Sequence, residues 1–99
     1  MQMLVKLTAQ LPETLCGDEL AALFAAERDR AIELLSAGKM TRMWRIAGTS
    51  SGMTLWDVDS LEDLHDSLSS LPAWKYCTVE ITPVVQHPVE AQFTSGAHK

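Results

Sequence analysis

The sequence predicts an α+β domain built on a four-stranded antiparallel sheet, and three observations carry that prediction. Residues Met3 to Leu11 alternate apolar and polar side chains, with Met3, Val5, Leu7 and Ala9 set against Leu4, Lys6, Thr8 and Gln10. Between Gly17 and Gly38 the apolar residues Leu20, Leu23, Phe24, Ala31, Leu34 and Leu35 recur at helical spacing. Two short alternating runs then flank Thr49-Ser50-Ser51-Gly52, whose composition is that of a turn, so they read as a hairpin.

Each element has its own justification. Pro12 ends the first strand, and Gly38 is a natural stop for the long first helix. The second strand covers Met40 to Gly48, with Trp44, Ile46 and Gly48 on one face and Met43, Arg45 and Ala47 on the other. The third strand covers Met53 to Val58. Ser60 with Asp63 resembles a capping box opening a short helix, whose buried stripe is Leu61, Leu64, Leu68 and Leu71 and which Pro72 closes. Trp74 to Val85 is rich in Tyr, Thr, Val and Ile and reads as a fourth strand, with Pro83 late in it or at an edge. From Gln86 onward the chain is polar and without periodicity, so the expected organisation is one domain over residues 1–88 and a polar tail over 89–99. The order β-α-β-β-α-β is the ferredoxin-like arrangement, with both helices on one sheet face. The other sheet face still carries apolar side chains, and a second copy is its simplest cover.

Composition narrows the function. Of the 99 residues 46% are hydrophobic, which suits one folded domain. The formal charge of −5 argues against nucleic acid, because phosphate binding needs clustered Lys and Arg. Lys39, Arg42 and Arg45 form a small basic cluster, enough for one carboxylate. Cys16 and Cys77 stand far apart and in no CxxC arrangement, so two thiols are expected rather than a disulfide. The N-terminal alternation is unlike a signal peptide and no apolar run approaches membrane-spanning length, which leaves a cytoplasmic protein as the default. His65, His87 and His98 have no metal-ligand spacing, and there is no Gly-rich phosphate loop. Neither a metal nor a nucleotide cofactor is expected. Ser50 and Ser51 lie in a turn that needs small polar residues anyway, so neither is marked as a nucleophile.

Glu27 is the outstanding residue. At about 100° per residue it falls within roughly 20–30° of the centre of the first helix's apolar stripe, where a carboxylate is rarely found without a partner. An apolar surrounding favours the protonated form of a carboxyl and suits such a group to general-base work near neutral pH. The rival reading is a buried ion pair with Arg42 or Arg45, and the two are compatible if the arginine holds an anionic substrate beside the base. His65 lies at the edge of the second helix's stripe and reads more readily as a packed side chain than as a catalyst. Trp44, Trp56 and Trp74 read as core or interface residues, or as walls of an apolar pocket.

Several short motifs together resemble the muconolactone isomerase family. They are Val5-Lys6, Leu11-Pro12, Glu27 in the first helix, Trp44-Arg45-Ile46-Ala47-Gly48, Asp57-Val58, Leu64-His65-Asp66 followed by Leu68, Leu71-Pro72, Tyr76 and His87-Pro88. Each is weak alone; their order and spacing from about residue 3 to 88 are specific. The resemblance implies a ferredoxin-like fold in dimers that build a decamer, no metal and no organic cofactor. It also implies action on an unsaturated five-membered lactone with a carboxymethyl arm, in bacterial breakdown of aromatic compounds. It places Glu27 as carrier of the proton, taken from ring C4 and returned at C2. Arg45, Lys6, Thr49, Ser50 and His65 are then the candidate substrate-binding residues.

The turn after the Ala-Gly of the signature departs from the family pattern. Where the resemblance implies bulky tyrosines and an asparagine, this chain has Thr49, Ser50, Ser51, Gly52 and Met53. A roomier pocket without phenolic donors favours the branch acting on 5-chloromuconolactone, in which loss of the same C4 proton expels chloride and leaves a dienelactone. Muconolactone isomerisation is the alternative within the family. From other classes the alternatives are a dimeric barrel that only binds a small hydrophobic acid, and a cofactor-free monooxygenase on the same architecture.

Overall fold

The computed structural model describes residues 1–96; the last three positions, His98 among them, lie outside the described residues. The chain runs β1 (Gln2–Ala9), α1 (Gly17–Ser36), β2 (Met40–Arg45), β3 (Gly52–Asp57), α2 (Leu61–Ser69), β4 (Cys77–Val84) and α3 (Pro88–Gly96). The strands form one sheet in the order β2-β3-β1-β4 with every neighbouring pair antiparallel. That is the α+β, ferredoxin-like fold the alternation and helical stripes predict.

Strand alternation sorts the sheet into two faces. Met3, Val5 and Leu7 of β1 stand opposite Trp56, Thr54 and Gly52 of β3, and this face meets the helices. The core there is Met3, Val5, Met40, Trp56, Ala31 and Leu34 of α1, and Leu64 and Leu68 of α2, with Leu71 beneath the end of α2. Trp56 is fully buried, yet its indole N–H is satisfied: Nε1 donates to Thr54 Oγ1 at 2.7 Å, and that hydroxyl donates to the Val5 carbonyl at 3.1 Å. The outer face carries Leu4, Lys6, Met53, Leu55, Arg42 and Trp44. A register shift between Met40 and Arg42 is what turns Arg42 and Trp44 outward and Met43 and Arg45 inward.

The helix ends follow local chemistry. Gly38 takes φ +76°, and Gly38 and Lys39 donate back to Leu35 and Leu34, the glycine C-terminal stop expected from sequence. Ser60 Oγ accepts from the Asp63 amide at 3.0 Å and opens α2 as the capping box predicts.

Several boundaries differ from the sequence reading. β2 stops at Arg45 rather than Gly48, because Thr49 N–H bonds the Ile46 carbonyl and Gly48 takes φ +81°, closing a turn. β1 stops at Ala9 rather than Leu11, and β4 starts at Cys77 rather than Trp74. Trp74–Tyr76 coil into a short 3-10 turn held by Trp74 N–H to the Leu71 carbonyl and Tyr76 N–H to the Ala73 carbonyl. The polar tail is not irregular throughout. α3 forms in it, with Pro88 in the first helical position and His87 Nδ1 accepting from the Val89 amide at 3.1 Å. The expected basic cluster is dispersed: Lys39 pairs with Asp63 at 2.5 Å, Arg42 lies 5.0 Å over the Trp44 ring, and Arg45 makes no ion pair among the described residues. Both cysteines are free thiols. Among the described residues no helix is long and apolar enough to cross a membrane.

Candidate active site

Glu27 sits midway along α1, on the side turned to the sheet, and is half-buried. It makes no ion pair with Arg42 or Arg45 among the described residues. Its Oε2 instead accepts a hydrogen bond from the Ala73 amide at 2.8 Å. That donor comes from the short connection after Pro72, so the α2–β4 link fixes the position of the α1 carboxylate. A charge-assisted bond of this type is stronger than one between neutral groups.

Two clefts meet at Glu27. The larger, about 720 Å³, opens between the middle of α1 and the sheet end formed by Ala9, Gly52 and Cys77. Its walls are mainly apolar, with Leu7, Leu11, Phe24 and Met43, and its polar side chains are Glu27, Arg45, Ser50, Thr54 and Cys77. Thr54 is already committed to Val5 and Trp56. The smaller cleft, about 330 Å³, runs between α1 and β2 past Phe24, Ile32, Leu35, Met40 and Met43. Glu27 is the one carboxylate lining either cleft among the described residues.

Cys77 is a site residue that sequence reasoning missed. Its Sγ donates to the Ala73 carbonyl at 3.3 Å, so one residue ties Glu27 through its N–H and Cys77 through its C=O. Burial pushes the thiol above its ordinary range, and the nearby Glu27 charge pushes it the same way. No spacing rule links positions 27, 73 and 77; the fold alone assembles them.

The other predicted residues divide. Arg45 and Ser50 line the larger cleft with Glu27. Thr49 does not: its hydroxyl donates to the Ile46 carbonyl at 2.9 Å and accepts from the Ser51 amide at 3.0 Å, which closes the hairpin turn. Lys6 lies on the outer sheet face, 4.0 Å from Glu80, away from the cleft of its own chain. Strand parity explains this, since Lys6 is out of step with Val5 and Leu7. His65 is exposed on α2 and meets the Trp74 ring edge-on at 6.1 Å, outside both clefts. The arrangement is therefore one fixed carboxylate among mainly apolar walls, with Arg45 and Ser50 lining the larger cleft beside it. It suits proton movement on a small anionic, largely apolar molecule.

Known proteins share this architecture. The sequence model of the family described as muconolactone delta-isomerase matches residues 1–90. Muconolactone delta-isomerase of Pseudomonas aeruginosa is 37% identical over 84 residues, covering 85% of this chain and 88% of that protein. The enzyme of the same name from Acinetobacter baylyi is 32% identical over 84 residues, with 85% and 88% covered. A crystal structure of muconolactone isomerase superposes with a TM-score of 0.83 at 35% identity, covering 89% of this chain and 92% of that one. The 5-chloro-2-hydroxyhydroquinone dehydrochlorinase of Burkholderia phenoliruptrix, solved with 2,5-dihydroxybenzoquinone, has a TM-score of 0.65 at 16% identity, covering 88% and 96% of the two chains, and so shares the fold alone. Fold, near-complete coverage and sequence identity agree: this chain belongs to the muconolactone delta-isomerase family.

Proposed function

We propose that this chain removes the C4 proton of a muconolactone-type butenolide with Glu27 as general base, and that its lead substrate is 5-chloromuconolactone. The carrying observation is the single carboxylate, held by the Ala73 amide, where the two apolar clefts meet. The C4–H bond is acidified through the conjugated double bond and lactone carbonyl. In the chlorinated substrate its electrons form the exocyclic C4=C5 bond, the C5–Cl bond breaks, and chloride leaves. The products are the dienelactone and HCl. Arg45, free of any carboxylate partner among the described residues, is placed to hold the substrate carboxylate, and Ser50 is a neighbouring donor.

A cleft of about 720 Å³ bordered by Ser50 and Gly52 supports room for chlorine. Plain isomerisation, with the proton returned at C2, is the second reading. It is favoured by relatives up to 37% identical that carry the name muconolactone delta-isomerase. One assay separates the two: incubate the protein with each lactone and follow product absorbance and free chloride. Chloride release from 5-chloromuconolactone should outpace isomerisation of muconolactone; the reverse order would assign the isomerase reaction. Glu27→Gln should lower turnover on either lactone by about 10²–10⁴-fold. Near-normal activity in that variant removes the base assignment altogether.

A further inference from the structure

Two walls of the larger cleft come from different strands, and the backbone pairing between those strands stops at the cleft. β1 pairs with β3 from Gln2↔Asp57 to Leu7↔Gly52, while along β4 it continues through Thr8↔Thr78 and Ala9↔Cys77. One wall is the end of β1 and the residues after it, with Leu7, Ala9 and Leu11. The other is the β2–β3 connection, with Arg45, Ser50 and Gly52. Next in register after Leu7↔Gly52 come Thr8 and Ser51. There side chains take over from the ladder: Thr8 Oγ1 and Ser51 Oγ share a hydrogen bond at 3.1 Å.

This bridge stands behind the cleft. Thr8 is out of step with Leu7, so its side chain leaves the sheet on the opposite face, and neither Thr8 nor Ser51 is among the residues lining the cleft. Ser51 is only 9% exposed, and a hydroxyl so buried needs a partner. Its backbone is tied as well. The Ser51 carbonyl accepts from the Ile46 amide at 3.0 Å, and its amide donates to Thr49 Oγ1 at 3.0 Å. Ile46 directly follows Arg45, and Ser50 directly precedes Ser51. Ser51 thus joins the residue after Arg45, the turn that carries Ser50 and, through its hydroxyl, strand β1.

We propose that Thr8 and Ser51 are positioning residues for substrate binding: their hydroxyl bridge fixes the separation of the two walls, and with it the placement of Arg45 and Ser50 against the substrate carboxylate. This rests on the reading of Arg45 as the group that holds that carboxylate. Glu27 is held separately, by α1 and the Ala73 amide, so the bridge bears on binding and not on proton removal. Its loss weakens the hold on substrate and transition state alike, which raises KM and leaves kcat in place.

Two substitutions at one position test this. Thr8→Val keeps the branched shape and removes the hydroxyl, whereas Thr8→Ser keeps the hydroxyl. On whichever of the two lactones is turned over faster, Thr8→Val should raise KM about five- to tenfold with kcat nearly unchanged, and Thr8→Ser should keep the parent KM. Adding Ser51→Ala to Thr8→Val should raise KM little further, because the bond the two share is already lost. Hydrogen exchange without substrate should run several-fold faster over residues 46–52 in Thr8→Val, with unchanged far-ultraviolet circular dichroism. A parent KM in Thr8→Val overturns the proposal, as does unchanged exchange over the turn. A fall in kcat at constant KM also overturns it, since the bridge would then serve the base. Arg45→Gln separates this from the reading beneath it: a parent KM in that variant removes the carboxylate assignment, while the exchange result still decides whether the bridge holds the turn.

Discussion

At the scale of single residues, the site turns on Ala73, whose amide holds Glu27 and whose carbonyl holds the Cys77 thiol. The thiol makes the Glu27 charge measurable without any substrate. Burial is the larger cause of its raised pKa and the carboxylate the second. Alkylation followed by mass spectrometry at pH 8 should therefore modify exposed Cys16 well before Cys77. In Glu27→Gln the second cause is gone, so the thiolate fraction and the Cys77 rate should rise several-fold while Cys16 is unchanged. An unchanged Cys77 rate would mean that the two side chains do not share one electrostatic environment. The stability sign follows from the same shift. Below the ordinary thiol range, about pH 8.5, the thiol is protonated folded or unfolded. Above it the unfolded chain releases the proton first, so Cys77 makes the fold less stable as pH rises.

At the scale of elements, α2 is anchored at its first turn by Ser60 and by the Lys39–Asp63 pair, which joins the helix to the residue leading into β2. The hydrogen bond from Lys39 holds the Asp63 carboxyl below the usual aspartate range. A lowered pKa gives stability that is complete above the unfolded value, about 3.9, and is lost as pH falls below it. Thermal melts from pH 6 to pH 2 should show Asp63→Asn losing less stability on acidification than the parent; parallel curves would mean that the pair adds nothing. The elements also mark what could be read from sequence. β1 and α1 were legible because their periods, 2 and 3.6, sort side chains to a face that the fold does bury. Glu27 was legible for the same reason. The 3-10 turn at Trp74–Tyr76 was hidden because its residue types favour strands and only the bonds to Leu71 and Ala73 coil it. α3 was hidden because Val89 and Phe93 face no core of their own chain, although Pro88 at a first helical position was a usable signal. Cys77 and Ala73 reach Glu27 across 50 and 46 positions of the sequence, respectively, and no local pattern encodes that meeting.

At the scale of the whole molecule, α1 and α2 cover one sheet face and nothing among the described residues covers the other. Leu4, Met53, Leu55 and Trp44 form an apolar band there, bordered by Arg42, Lys6 and Glu80. Trp44 remains 42% exposed with Arg42 stacked on it, an arrangement that keeps a large aromatic side chain in water unless another surface meets it. Leu55 is the most informative position, because it lies between Leu4 and Arg42 near the middle of the band and takes no part in the helix-side core. In a monomer, aspartate at this position would be solvated on an open sheet face beside a cation and should cost little. In a face-to-face pair it would be buried twice about the two-fold axis, two like charges in an apolar seam, and association should fail. Light scattering after size exclusion should show the parent as a dimer or a multiple of dimers and Leu55→Asp as a monomer with unchanged far-ultraviolet circular dichroism. A Leu55→Asp protein that keeps the parent's mass would place the interface elsewhere. One that becomes a fully active monomer would show that each Glu27 site is complete within a single chain.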